Sequence, residues 1–293
     1  MSSAIAEIRQ RTIEKILAKQ DESGRWGYDD ADARARPEFL LYTPNYTSTF
    51  WTLLLLADLQ APIDNAQIHS ALRLVTERFY APEHGIFRLP GMTHFPIPCL
   101  NGSMIYLHYY FQTDQAERLN KVIGFFAKYQ RFDDGDFKTP KVYPYGSNTA
   151  CYGRHTCYWG VVKLLKGLSF IPKDRRTADA RRLIEGCIDF VLQHEVCFSS
   201  HRRDEFLNRD ISKLTFPNSW KCDYLEVLWL LAREEVQDRR LSRAVELLRS
   251  KQQADGGWEL EKPMDIIVSI GRRGCANAFV TERAAAVLAY YGS

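Results

Sequence analysis

One arrangement recurs about five times along the chain, at a spacing of roughly 50–60 residues. Each copy pairs a charged, amphipathic helix with a more apolar one that follows after a loop. The amphipathic helices are expected over 4–19, 66–79, 116–129, 177–196 and 242–251. Their apolar partners are expected over 47–59, over 100–111, from the His155/Cys157 segment to Leu168, over 220–233 and over 277–291. A helix polar along one stripe belongs outside, and one apolar nearly all round belongs inside. Such pairs stack side by side, because a single pair cannot bury its own apolar face. A closed ring of parallel inner helices would bury every such face. The expected fold is therefore all-α, one domain over 1–293 built from about five helical hairpins.

Composition narrows the partners. The net charge is +3, and the basic residues are scattered apart from a short run at Lys173, Arg175, Arg176, Arg181 and Arg182. That run reads as a solvated helix face, so nothing points to nucleic acid. The longest apolar run, 50–57, is far too short to span a membrane. The opening MSSAIAEIRQ has no apolar signal core, and the seven cysteines fit no small disulfide scaffold. The expectation is a cytoplasmic protein with reduced thiols.

Two of the amphipathic helices end in the same motif, Gln-x3-Gly-x-Trp, at Gln20/Gly24/Trp26 and at Gln252/Gly256/Trp258. A looser copy ends at Phe137, a degenerate one at Phe87, and the fourth hairpin has none. This signature resembles the QW repeat of squalene–hopene and oxidosqualene cyclases, whose α/α toroid is shared by the β subunits of protein prenyltransferases. The chain also looks like short, single-toroid bacterial members of that group. The resemblance covers nearly the whole chain and implies an α/α toroid. It further implies an enzyme acting on a hydrophobic, isoprenoid substrate in a central cavity, by cyclisation, isomerisation or prenyl transfer. Two alternatives stand beside it. One is a zinc-dependent lyase or transferase on a non-isoprenoid substrate, since lanthionine cyclases also combine such a toroid with zinc. The other is a non-catalytic toroid that binds a lipid or a partner. An open ring would expose apolar edges that a homodimer would cover.

The starts of the inner helices are the places to look for chemistry, because helix dipoles and unpaired N–H groups converge there. They carry Tyr46, Thr47 and Thr49; Cys99 and Asn101; His155 and Cys157; Trp220, Cys222 and Asp223; and Asn277 and Thr281. The segment His155-Thr-Cys157-Tyr158 resembles the one holding the histidine ligand of the prenyltransferase zinc. A zinc set drawn from His155, Cys157, Asp223 and Cys99, with His201 as a further donor, follows from that resemblance. The catalytic candidates are Asp223, His155 and Cys157. Cys157 gains from a helix start that favours thiolate, and Asp223 is the acid if alkene protonation initiates a cyclisation. Substrate-binding candidates are Trp51, Asn101, Tyr106, Trp159, Trp220 and Tyr224, whose rings or amide would line the cavity and could stabilise a cation. Asp133-Asp-Gly-Asp136 reads as a solvated turn, because it follows an outer helix and does not open an inner one.

Overall fold

The computed structural model describes residues 3–27, 41–43, 45–89 and 96–292. Among these the protein is mostly helical. The outer helices are α1 (Ser3–Leu17), α3 (Ala66–Phe79), α5 (Ala116–Tyr129), α8 (Ala178–Gln193) and α10 (Ser242–Ser250). The inner ones are α2 (Thr49–Asp58), α4 (Pro98–Tyr110), α7 (Tyr158–Ser169), α9 (Tyr224–Arg233) and α11 (Ala278–Tyr291). A four-residue helix, α6 (Thr149–Tyr152), precedes α7, and one short antiparallel hairpin pairs β1 (Tyr80–Ala81) with β2 (Ile86–Phe87).

Side chains set several helix starts. Asn65 accepts from Ile68 N, Thr177 from Ala180 N, Asp223 from Glu226 N, and Asn277 from Phe279 N and Val280 N. Each cap satisfies donors that the first turn leaves orphaned. The fourth inner helix begins at Tyr224 and not at Trp220, because Asp223 is the cap and the residues before it are extended or turned.

The inner helices pack in chain order, α2 on α4, α4 on α7, α7 on α9 and α9 on α11. The closest pair is α4 with α7. A Cβ at Gly102 would lie 2.2 Å from Lys163 O, and one at Gly167 would lie 2.3 Å from Gly102 O. Backbone approach this near admits only glycine. Pro98 meets Gly160, Gly102 meets Lys163, and Ile105 meets Gly167. The register ascends on both helices, so α4 and α7 run parallel. Four of the inner helices, α2, α4, α9 and α11, with Phe170 just past the end of α7, wall one cavity of about 520 Å³.

The two Gln-x3-Gly-x-Trp segments make matching hydrogen bonds. Gln20 Nε2 donates to Gly24 O at 2.9 Å, and Gln252 Nε2 to Gly256 O at 3.0 Å. Each indole reaches back to the outer helix, Trp26 Nε1 to Ile16 O and Trp258 Nε1 to Leu248 O, both at 2.8 Å. Each Trp main-chain N–H is held by a threonine of the inner helix, Thr49 or Thr281. In the second hairpin Asn101 takes that place, accepting from Phe87 N and donating to Phe87 O, both at 2.8 Å.

A buried ionic chain crosses the inner layer. Lys163 Nζ lies 2.6 Å from Glu226 Oε2, Lys166 Nζ lies 3.1 Å from Glu226 Oε1, and Lys166 Nζ lies 2.7 Å from Asp58 Oδ1. All four side chains are essentially inaccessible to solvent.

Candidate metal centre

The turn after α5 is fastened to the segment that leads into α7. Thr156 N donates to Asp133 O at 3.2 Å, and Asp134 and His155 form an isolated antiparallel bridge. Arg131 chelates the Asp133 carboxylate at 2.7 and 2.6 Å and donates to Gly153 O at 3.0 Å. Arg154 Nε returns the tie to Gly135 O at 2.7 Å. Gly135 adopts φ +107°, and a Cβ there would sit 2.6 Å from His155 Cε1, so the imidazole lies directly on the glycine.

This fastening gathers three groups that can hold a cation. One ligand atom from each of Asp134, His155 and His201 lies within 4.8 Å of the others. His155 Nδ1 is 3.0 Å from Asp134 Oδ1, and His201 Nε2 is 3.2 Å from Asp134 Oδ2. The carboxylate side chain is only 10% exposed, whereas the two imidazoles are 56% and 60% exposed. The Ser200 hydroxyl also donates to Asp134 Oδ2. Burial acts to raise the Asp134 carboxyl. The hydrogen bonds from Ser200 and His155, with His194 and His201 nearby, outweigh it and hold the group below the usual carboxylate range. Asp134 is therefore an anion facing two accessible imidazoles.

A third histidine stands behind it. His194 is buried, and its Nδ1 meets Phe198 O at 3.2 Å. A carbonyl only accepts, so Nδ1 carries the proton. Nε2 has no hydrogen-bond partner and faces Asp134 Oδ2 at 3.8 Å. Burial is the main cause that lowers the His194 imidazole, against the pull of Asp134. Two imidazoles and a carboxylate at an open position are the donor set of catalytic zinc and of ferrous centres. The cluster lines a cavity of about 470 Å³ together with Cys157, Trp159 and Asn208. Trp159 and Asn208 also line an adjoining cavity of about 220 Å³.

The zinc set expected from sequence is not assembled. Among the described residues, no three of His155, Cys157, Asp223 and Cys99 bring ligand atoms within that distance. Asp223 is almost wholly buried, and both its oxygens are taken, by Glu226 N at 2.8 Å and Thr215 N at 2.6 Å. Burial raises its carboxyl to about 6, but it is a helix cap and not an open acid. Cys157 caps α7 and borders the 470 Å³ cavity. Burial pushes its thiol up, against the N–H groups of Gly160 and Trp159, so the helix start does not make it a thiolate. Cys99 is pushed up to about 12 by burial and by the neighbouring Cys157 and Cys151.

The substrate candidates also separate. Trp51 is buried and donates to Tyr42 O at 2.8 Å. Asn101 is buried and spent on Phe87, as described above. Tyr224 is buried beneath the start of α9. Tyr106 faces the 520 Å³ cavity, with its hydroxyl donating to Asp58 Oδ1 at 3.0 Å. Trp159 borders the Asp134–His155–His201 cavity and packs edge-on against Trp220 at 5.1 Å, and Trp220 donates to the Tyr46 hydroxyl at 2.6 Å.

Sequence reasoning passed over Asp134, Ser200 and His194. The turn read as solvated holds the carboxylate at the middle of the cluster. The available signal was a run of acids in the same hairpin as His155, with two more histidines in the next.

In comparison with known proteins, no family model matches the chain and no curated protein matches its sequence.

Proposed function

We propose that the protein is a metal-dependent enzyme built on an α/α toroid of five helical hairpins, with its metal held by Asp134, His155 and His201. The convergence of one partly buried carboxylate and two accessible imidazoles carries this reading. The toroid is supported by the chain-order packing of the inner helices, by the cavity that four of them wall and by the paired Gln–Gly–Trp turns. Zinc is the first expectation for this donor set. Such an ion supplies a Lewis acid and an activated water. The chain's part is to fix Asp134 through Ser200 and the backbone bridge, to hold the solvent-accessible His155 and His201 on Asp134, where His201 Nε2 meets the Asp134 carbonyl at 2.9 Å, and to seat the substrate against Trp159. The reaction class is a lyase or transferase reaction on a non-isoprenoid substrate. A reducing, cytoplasmic setting suits the seven unbridged thiols.

The test is elemental mass spectrometry of the purified protein and its variants. About one metal per chain is expected, lost in Asp134→Asn, His155→Ala and His201→Ala and kept in Cys157→Ala. A folded protein without metal would overturn the reading. Loss in Cys157→Ala alone would return the centre to the thiols.

A second reading has its own observation. The 520 Å³ cavity is walled by Tyr106, Tyr110, Phe170, Phe216, Trp229 and Phe279. Such a wall favours a hydrophobic, isoprenoid-type ligand of the kind handled by terpenoid cyclases and prenyltransferases. Binding there without turnover would make the toroid a lipid-binding protein.

A further inference from the structure

The wall of the 520 Å³ cavity carries two carboxylates and two guanidiniums. Both carboxylates are already matched by cations. Asp58 is bonded to Lys166 at 2.7 Å, and Glu282 is bonded to Arg9 at 2.5 Å. The guanidiniums of Arg233 and Arg283 have no ion-pair partner among the described residues. Behind the wall, Lys163 and Lys166 share Glu226; Asp58 and Asp223 act on Arg283, and Glu234 on Arg233, only through space, without an ion-pair contact.

The two arginines are nonetheless held in place. Arg233 lies over Phe170 at 4.0 Å, and Arg283 over Trp229 at 4.8 Å. Phe170 and Trp229 themselves adjoin at 6.1 Å, so the two stacked pairs form one strip. Helical spacing aims them inward. Trp229 and Arg233 are four apart on α9, and Phe279, Arg283 and Ala286 share a face of α11. Arg233 spends Nε on Ser169 O at 3.0 Å, and Arg283 spends one Nη1 proton on Asn218 Oδ1 at 2.8 Å. A guanidinium has five N–H groups, so most remain available in each. Gln60 and Arg233 are exposed at the mouth, and the volume falls within the usual small-molecule range of about 300–1,000 Å³.

We propose that this cavity binds an amphiphile with one compact anionic head, a carboxylate or a phosphate, clamped between Arg233 and Arg283. The proposal rests on the second reading above, that the cavity takes an apolar ligand, and adds the charge of that ligand. Stacked guanidiniums present planar N–H forks that match such oxyanions. The apolar body lies against Tyr106, Phe279 and the other rings.

The experiment is isothermal titration of the intact protein with decanoate, decyl phosphate and decan-1-ol, repeated on Arg233→Gln, Arg283→Gln and the double variant. The wild type is expected to bind at least one of the two anions about tenfold or more tightly than the alcohol. The double variant is expected to lose the preference for an anion over the alcohol. The tighter anion identifies the head group. Equal binding of all three by the wild type would overturn the proposal and leave the apolar cavity standing. Binding of none would remove both. The wild-type comparison decides the matter even where a variant fails to fold.

Discussion

Arg9 of α1 and Glu282 of α11, 273 residues apart in the chain, meet at 2.5 Å. Their side chains are 10% and 26% exposed, so the pair is largely sheltered from solvent. It joins the first outer helix to the last inner one. A double-mutant cycle with Arg9→Gln and Glu282→Gln should give a coupling of about 1 kcal/mol, read from urea midpoints. A coupling of zero would mean that the first and last hairpins are tied by apolar packing alone.

Glu226 neutralises two buried lysines at once. Glu226→Gln strands an ammonium in the interior, and breaking such a pair costs about 3–5 kcal/mol. Chemical denaturation should show the loss directly. Unchanged stability would show that Asp58 alone balances both lysines.

Gly135→Ala should separate site geometry from fold. The new methyl group meets the His155 ring at 2.6 Å, in a backbone conformation that disfavours any side chain. Metal affinity is expected to fall about tenfold or more, with the helical circular-dichroism signal kept. Retained affinity would place the metal away from His155.

Gly102→Ala tests the helix crossing. Its Cβ would fall 2.2 Å from the Lys163 carbonyl, so α4 and α7 must part. The expected cost is about 3 kcal/mol in unfolding experiments. A neutral effect would contradict the close approach.

Asp223 makes stability depend on pH. Its carboxyl lies at about 6 in the fold against an ordinary 3.8, chiefly through burial. The folded state thus binds the proton more tightly than the unfolded chain. The group's contribution is present in full below about pH 4 and is lost as pH rises through about 6. Asp223→Asn should flatten that part of the stability profile. A wild-type profile without the fall between those values would show that the two N–H bonds outweigh burial.

Much of the helical layout was legible because a 3.6-residue period survives in both helix types. Residues 66–79 and 116–129 carry the helices at the boundaries that their apolar spacing gives. The start of α9 lies four residues beyond the expected one, since Trp220 and Cys222 suggest an apolar helix face while Asp223 caps the helix. The site was much less legible. Asp134 and His201 sit in loops, and a helical period carries no information on loop paths. Cysteine next to histidine at a helix start suggests a ligand pair, but burial and the fastening of residues 131–137 decide which side chains meet. His155, with His201 as the further donor, belongs to both the expected set and the observed cluster.

Asp134 is 21 residues from His155 and 67 from His201. A cation shared by the three would act as a removable cross-link between the third and fourth hairpins. Closing two loops at one point takes away freedom that the open chain would otherwise regain. Occupancy and local opening then become one equilibrium, weighted by free metal. Chelation should first raise amide exchange and protease cutting around 131–157 and 194–208, while the glycine-packed contact between α4 and α7 stays protected.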